Sequence, residues 1–147
     1  MSRARTLLVA GNDVFLDGVV AWMAEDPRID VVGRAHSGSE VLERIDALRV
    51  ELVLMDVSLP DVSGFEVARR IKSRPSAPLV VLLSFYDSRV ARLEAWAAGA
   101  DGFVPTAETA ECLRPLLGDL LRKEDVRVRE QVTFVPTMPV KPAEDSE

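Results

Sequence analysis

Short apolar runs alternate along the chain with longer segments whose apolar residues recur at helical spacing, and the pair repeats five times. Residues 6–10 form the first apolar run, and residues 14–24 carry Val14, Val19, Trp22 and Met23 on one helical face, with Trp22 assigned to the core. Residues 29–35 are β-branched and apolar. Residues 38–48 then place Val41, Leu42, Ile45 and Leu48 together, with Ser37 positioned as the helix N-cap. A continuous apolar strand at 52–55 leads into a loop, 57–64, that contains Pro60 and Gly64, and residues 65–73 read as helix. Residues 79–83 are the most apolar strand of all, and the Ala-rich helix 88–98 is stopped by Gly99. Its inward set is Val90, Leu93 and Ala97, which leaves Trp96 on the outer side. A short strand at 102–104 and a helix at 109–122 close the fifth unit. Strict alternation, with strands apolar on both faces, predicts an α/β fold with a doubly wound parallel sheet covered by helices on both sides. Pro115 conflicts locally with the last helix, at a cost of ~3 kcal/mol in a helix interior, and predicts a kink or a start at Pro115.

Composition narrows the function classes. A chain of 147 residues, 48% hydrophobic, suits one domain over residues 1–122, followed by a tail at 123–147 whose prolines, Pro136, Pro139 and Pro142, break any helix. Residues 126–135 alternate (Val126, Val128, then Val132, Phe134), which permits an added strand at a sheet edge; a solvated tail is the other reading. One cysteine, Cys112, and one histidine, His36, exclude an internal disulfide and a Cys/His zinc site and fit a reducing, cytoplasmic address. His36, in a loop without evident partners, reads as a surface residue. The apolar runs fall far short of the ~20 residues of a membrane span, and the run behind the basic N-terminus is too short for a secretory leader. A net charge of -6 disfavours direct nucleic-acid binding, which relies on clustered Lys and Arg.

In a parallel α/β sheet, chemistry collects beyond the C-terminal strand ends. Those ends carry Gly11-Asn12-Asp13, Asp56, Ser84 and Pro105-Thr106. No Gly-rich phosphate loop follows the first strand, which leaves a nucleotide-binding enzyme as the weakest reading.

Three stretches carry a resemblance: Leu52-Val53-Leu54-Met55-Asp56 with its loop through Pro60 to Gly64, Val80-Val81-Leu82-Leu83-Ser84, and Ala98-Gly99-Ala100-Asp101-Gly102-Phe103-Val104-Pro105. Together they resemble the receiver domain of bacterial two-component response regulators, over residues 5–122. The resemblance implies a flavodoxin-like (βα)5 fold with strand order 2-1-3-4-5; a receiver of this order is also a general example of the rule placing ligands at the strand ends. It implies that Asp56 is the phosphoacceptor, Ser84 the switch hydroxyl and Phe103 the switch aromatic. It also implies that the chain is no enzyme beyond phosphoryl transfer to Asp56 and its own dephosphorylation.

Two departures alter that expectation. Gly11 and Asn12 stand where the family has an acidic pair for Mg²⁺, so a site built from Asp56 and Asp13 is expected to be weak or absent. Asp13 either replaces a lost carboxylate or caps the first helix, and the cap is the preferred reading. Thr106 stands in place of the family's lysine and donates at most a neutral hydrogen bond, about half as strong as a charge-assisted one. The leading expectation is an atypical stand-alone receiver that acts as a protein-interaction module with impaired or absent Mg²⁺-dependent phosphorylation. Its partner, a protein or a second copy, would dock on the face made by helix four, strand five and helix five, with Arg89, Arg92, Trp96, Phe103 and the Pro115 region. The alternative is a working switch phosphorylated on Asp56 by a histidine kinase.

Overall fold

A computed structural model describes residues 3–125. Five strands alternate with five helices: β1 (Ala4–Val9), α1 (Asp13–Met23), β2 (Ile29–Ala35), α2 (Gly38–Ala47), β3 (Leu52–Asp56), α3 (Gly64–Lys72), β4 (Leu79–Ser84), α4 (Arg89–Ala97), β5 (Gly102–Pro105) and α5 (Thr109–Asp125). The sheet is parallel throughout with order β2-β1-β3-β4-β5, as expected. Right-handed crossovers then dictate the layers. The β1 to β2 connection runs opposite to the rest, which puts α1 on one face and α2, α3 and α4 on the other. Helix α5 returns to the α1 face, where the Arg114 guanidinium lies 4.4 Å from the Trp22 ring centroid.

Local chemistry places the helix starts. Asn12, Ser37, Ser63 and Ser88 each sit in extended backbone and accept from amides of the first turn. Gly99, at φ 85°, ends the α4 unit in the left-handed region that favours glycine. Leu52, Val53, Leu54 and Met55 on β3 and the apolar residues of β4 are buried on both faces, as a central parallel strand requires.

Three helix readings are corrected. On α1 the buried residues are Leu16, Val19 and Met23 and Trp22 packs partly buried against the core as expected, but Val14 is 78% exposed. On α4 the buried residue is Ala95, with Ala91 packed behind it and Ala98 just beyond the helix. Val90 is 70% exposed and Ala97 is exposed, so two of the three residues assigned inward face outward. Helix α5 begins at Thr109, after a single 3₁₀ turn at Thr106–Glu108, so Pro115 lies inside the helix and does not start it. The turns before Pro115 bring Leu113 into the core, where it is fully buried. Helix α5 runs on to Asp125, so residues 123–125 belong to it and not to the expected tail at 123–147, whose remainder, 126–147, lies outside the described residues.

Candidate functional site

Strand β3 carries Asp56 to its C-terminal end, where the carboxylate is half-buried. The loop that follows is folded tightly over it. Gly64 donates its amide to the Val57 carbonyl at 2.7 Å, and a Cβ on Gly64 would lie 2.7 Å from the Asp56 carbonyl oxygen. Only glycine allows α3 to start that close. Asp61 in the same loop accepts from the amides of Gly38 (2.8 Å) and Ser39 (3.1 Å), tying the loop to the first turn of α2.

The Asp56 carboxylate accepts from the Ser58 amide at 3.1 Å. Burial pushes its pKa above the usual carboxylate range, and the Ser58 and Val57 amides pull weakly the other way. Among the described residues no cation and no second acid acts on it.

Three neighbouring side chains that the sequence singled out, Asn12, Asp13 and Ser84, are engaged elsewhere. The Asn12 side chain accepts from the amides of Val14 (2.8 Å) and Phe15 (3.2 Å), so Asn12 is the N-cap of α1. That corrects the capping reading of Asp13, which is the first residue inside the helix. Asp13 reaches across to β2, where its Oδ1 lies 2.7 Å from His36 Nε2 and 3.5 Å from Arg34 Nη1. The His36 ring, helped by Arg34, holds the Asp13 carboxyl below its ordinary range. His36 therefore has a partner, one that local sequence could not reveal because the two residues are 23 positions apart.

Ser84 is buried, and its hydroxyl donates to the Tyr86 carbonyl at 2.8 Å while accepting from the Tyr86 amide at 3.1 Å. This turn projects Phe85 and Tyr86 into solvent, 80% and 74% exposed. Thr106 begins the 3₁₀ turn after β5, with its carbonyl accepting from the Thr109 hydroxyl at 2.8 Å. Phe103 is fully buried opposite Leu82, so its expected place on a docking face is corrected: the ring offers no surface. Arg89 and Trp96 are exposed on α4, and the Arg92 side chain is bound to Asp87.

Magnesium requires several hard oxygen ligands in near-octahedral array. Among the described residues no three His, Cys, Asp or Glu side chains gather in such a group. With Asn12 committed to the helix cap and Asp13 turned to His36, this donor set does not fit the ion. A carboxylate can attack phosphorus, but the transferring group then needs positive charge around it, and among the described residues Asp56 is hydrogen-bonded by backbone amides alone.

Comparison with known proteins agrees with this arrangement of elements. The Response regulator receiver domain profile matches residues 7–117. The DNA-binding transcriptional activator DevR/DosR of Mycobacterium tuberculosis is 38% identical over 100 residues, which cover 68% of this chain and 46% of that protein. A protein-glutamate methylesterase/protein-glutamine glutaminase of Alkalilimnicola ehrlichii is 32% identical over 104 residues, covering 70% of this chain and 27% of its own. The chain thus spans less than half the length of either relative. A solved signal receiver domain from Mycobacterium tuberculosis superposes with a TM-score of 0.73 at 25% identity, covering 88% of this chain and 100% of that one. No described helix is long and apolar enough to cross a membrane.

Proposed function

The chain belongs to the response regulator receiver domain family, and from that premise we propose that it is an atypical receiver whose work is protein docking and in which Mg²⁺-dependent phosphorylation of Asp56 is impaired or absent. One observation carries this reading: the Asp56 carboxylate is half-buried and, among the described residues, answered only by backbone amides. Phosphoryl transfer concentrates negative charge on the equatorial oxygens, and pre-placed cations are commonly the largest source of stabilisation for such a step. Thr106, where a family lysine would stand, supplies at most one neutral donor. Asp13, the one acid close in sequence that could replace the lost pair, is bound to His36 and Arg34.

The outer side of α4 and the turn before it support the docking half of the reading. Phe85, Tyr86, Val90 and Trp96 are all exposed, the first three by 70% or more. Exposed aromatic and apolar residues of this kind anchor protein contacts. Arg89 stands among them, and Asp87 holds Arg92 beside them. In this reading the partner is a protein or a second copy of the chain, neither nucleic acid nor membrane, and the address is cytoplasmic.

Acetyl phosphate with Mg²⁺ tests the proposal directly, with the products followed by intact mass. The expected result is no Mg²⁺-dependent phosphoryl adduct on the full chain. An adduct that forms with Mg²⁺, vanishes in Asp56→Asn and changes the assembly state would overturn it and favour the alternative, a working switch phosphorylated on Asp56.

A further inference from the structure

The end of the sheet opposite Asp56 holds a cavity of about 630 Å³, within the roughly 300–1,000 Å³ range of binding clefts. Val50, Leu79 and Leu121 give it apolar walls, and Arg3, Arg122 and Glu51 place charges around it. Arg3 donates to the Pro27 carbonyl at 3.2 Å and has no carboxylate partner among the described residues. The wall residues Leu121 and Arg122 belong to the last turns of α5, which ends at Asp125, so the chain beyond α5 sets out from the cavity's own rim.

We propose that residues 126–130 of this same chain are the occupant of that cavity. In extended form, Val126, Val128 and Glu130 share one face, two apolar side chains followed by an acid. That order suits apolar walls with an unmatched arginine at the rim: Val126 and Val128 pack on Val50, Leu79 and Leu121, and Glu130 pairs with Arg3. Arg127 and Arg129 then point away from the cleft. Five extended residues span about 16 Å at ~3.3 Å each, a length suited to crossing the cleft from the end of α5. Tethering favours this occupant over a second copy, because the local concentration of a segment on a short linker is on the order of millimolar.

The full chain carrying Cys112→Ser and Arg129→Cys, labelled with a nitroxide and ¹⁵N, provides the test. The proposal expects amide signals of Ala4, Val50 and Leu79 to broaden while those of Ser84 and Ser58, at the opposite end, stay sharp. Val126→Asp with Val128→Asp should abolish the broadening, and Glu130→Arg should weaken it. Uniform broadening, no broadening, or broadening seen only between copies in a mixture of labelled and ¹⁵N-enriched chains would each overturn it. Hydrogen exchange on the unmodified full chain gives a second readout that needs no substitution. Amides of residues 126–130 protected at least ~10-fold over a free chain support docking, and exchange at the free-chain rate contradicts it.

Discussion

Two aspartates at opposite ends of the sheet receive opposite treatment. Asp101, 2% exposed just before β5, takes the Lys72 ammonium at 2.7 Å and the Val80 amide at 2.9 Å on the same carboxylate oxygen. Asp56, half-buried at the end of β3, takes the Ser58 amide and meets no cation among the described residues. The acid that joins α3 to the entrance of β5 is neutralised, whereas the acid at the position where chemistry would occur is not. Charge compensation in this molecule therefore serves architecture. The same contrast separates Lys72, which also donates to the Pro78 carbonyl at 3.0 Å, from Thr106, a neutral residue at the end of β5.

The largest effect should come from removing the compensated partner. Lys72→Met leaves the Asp101 carboxylate buried without its ammonium, and urea denaturation should show a loss of about 3 kcal/mol, typical of breaking a buried pair from one side. A loss well under 1 kcal/mol would erase the contrast.

Supplying charge at the other end should sharpen the comparison from the opposite direction. A Cβ on Gly11 would have only Pro60 within 4 Å, at 3.7 Å, so Gly11→Asp is sterically tolerable. Asn12→Asp preserves capping chemistry. Combined with Thr106→Lys, these substitutions should raise Mg²⁺-dependent labelling by acetyl phosphate by roughly 100-fold, the scale of one to two well-placed electrostatic groups. Absence of any gain in a folded triple variant would mean that something other than missing charge limits Asp56.

The smallest effect is on stability. Because burial raises the Asp56 pKa in the folded state, that state binds the proton more strongly than the unfolded chain does. Stability therefore falls as pH rises from the ordinary value of 3.8 through the raised value, and the full penalty is present above it. Asp56→Asn removes the charge, so it should raise the Tm slightly at neutral pH and lose that advantage below the ordinary carboxylate range. Thermal melts at both pH values check the sign.

Much of this was legible beforehand. Each helix and strand lies within two or three residues of its predicted bounds, because apolar runs and capping residues are local signals. The parallel order followed from alternation together with the motif resemblance. Facing on α4 is not legible because its buried residue, Ala95, carries little hydrophobic weight, while the larger Val90 faces solvent. Neighbouring Asn12 and Asp13 are both competent caps, and which one takes the extended backbone depends on where β1 ends, a tertiary matter. Gly11, Asn12 and Thr106, which the resemblance marks as departures, are read directly from the sequence. The engagements that complete the picture, Asp13 with His36 and Lys72 with Asp101, join residues 23 and 29 positions apart and have no local signature.

Titration of the ¹⁵N-labelled full chain with Mg²⁺, alone and with beryllofluoride, probes the central claim at its source. The amides of Val57, Ser58 and Ser84 are expected not to shift up to tens of millimolar Mg²⁺, in the native chain as in Asp56→Asn. Saturable shifts at those amides, present in the native chain and absent in Asp56→Asn, would contradict that expectation and show that Asp56 still commands a working metal site.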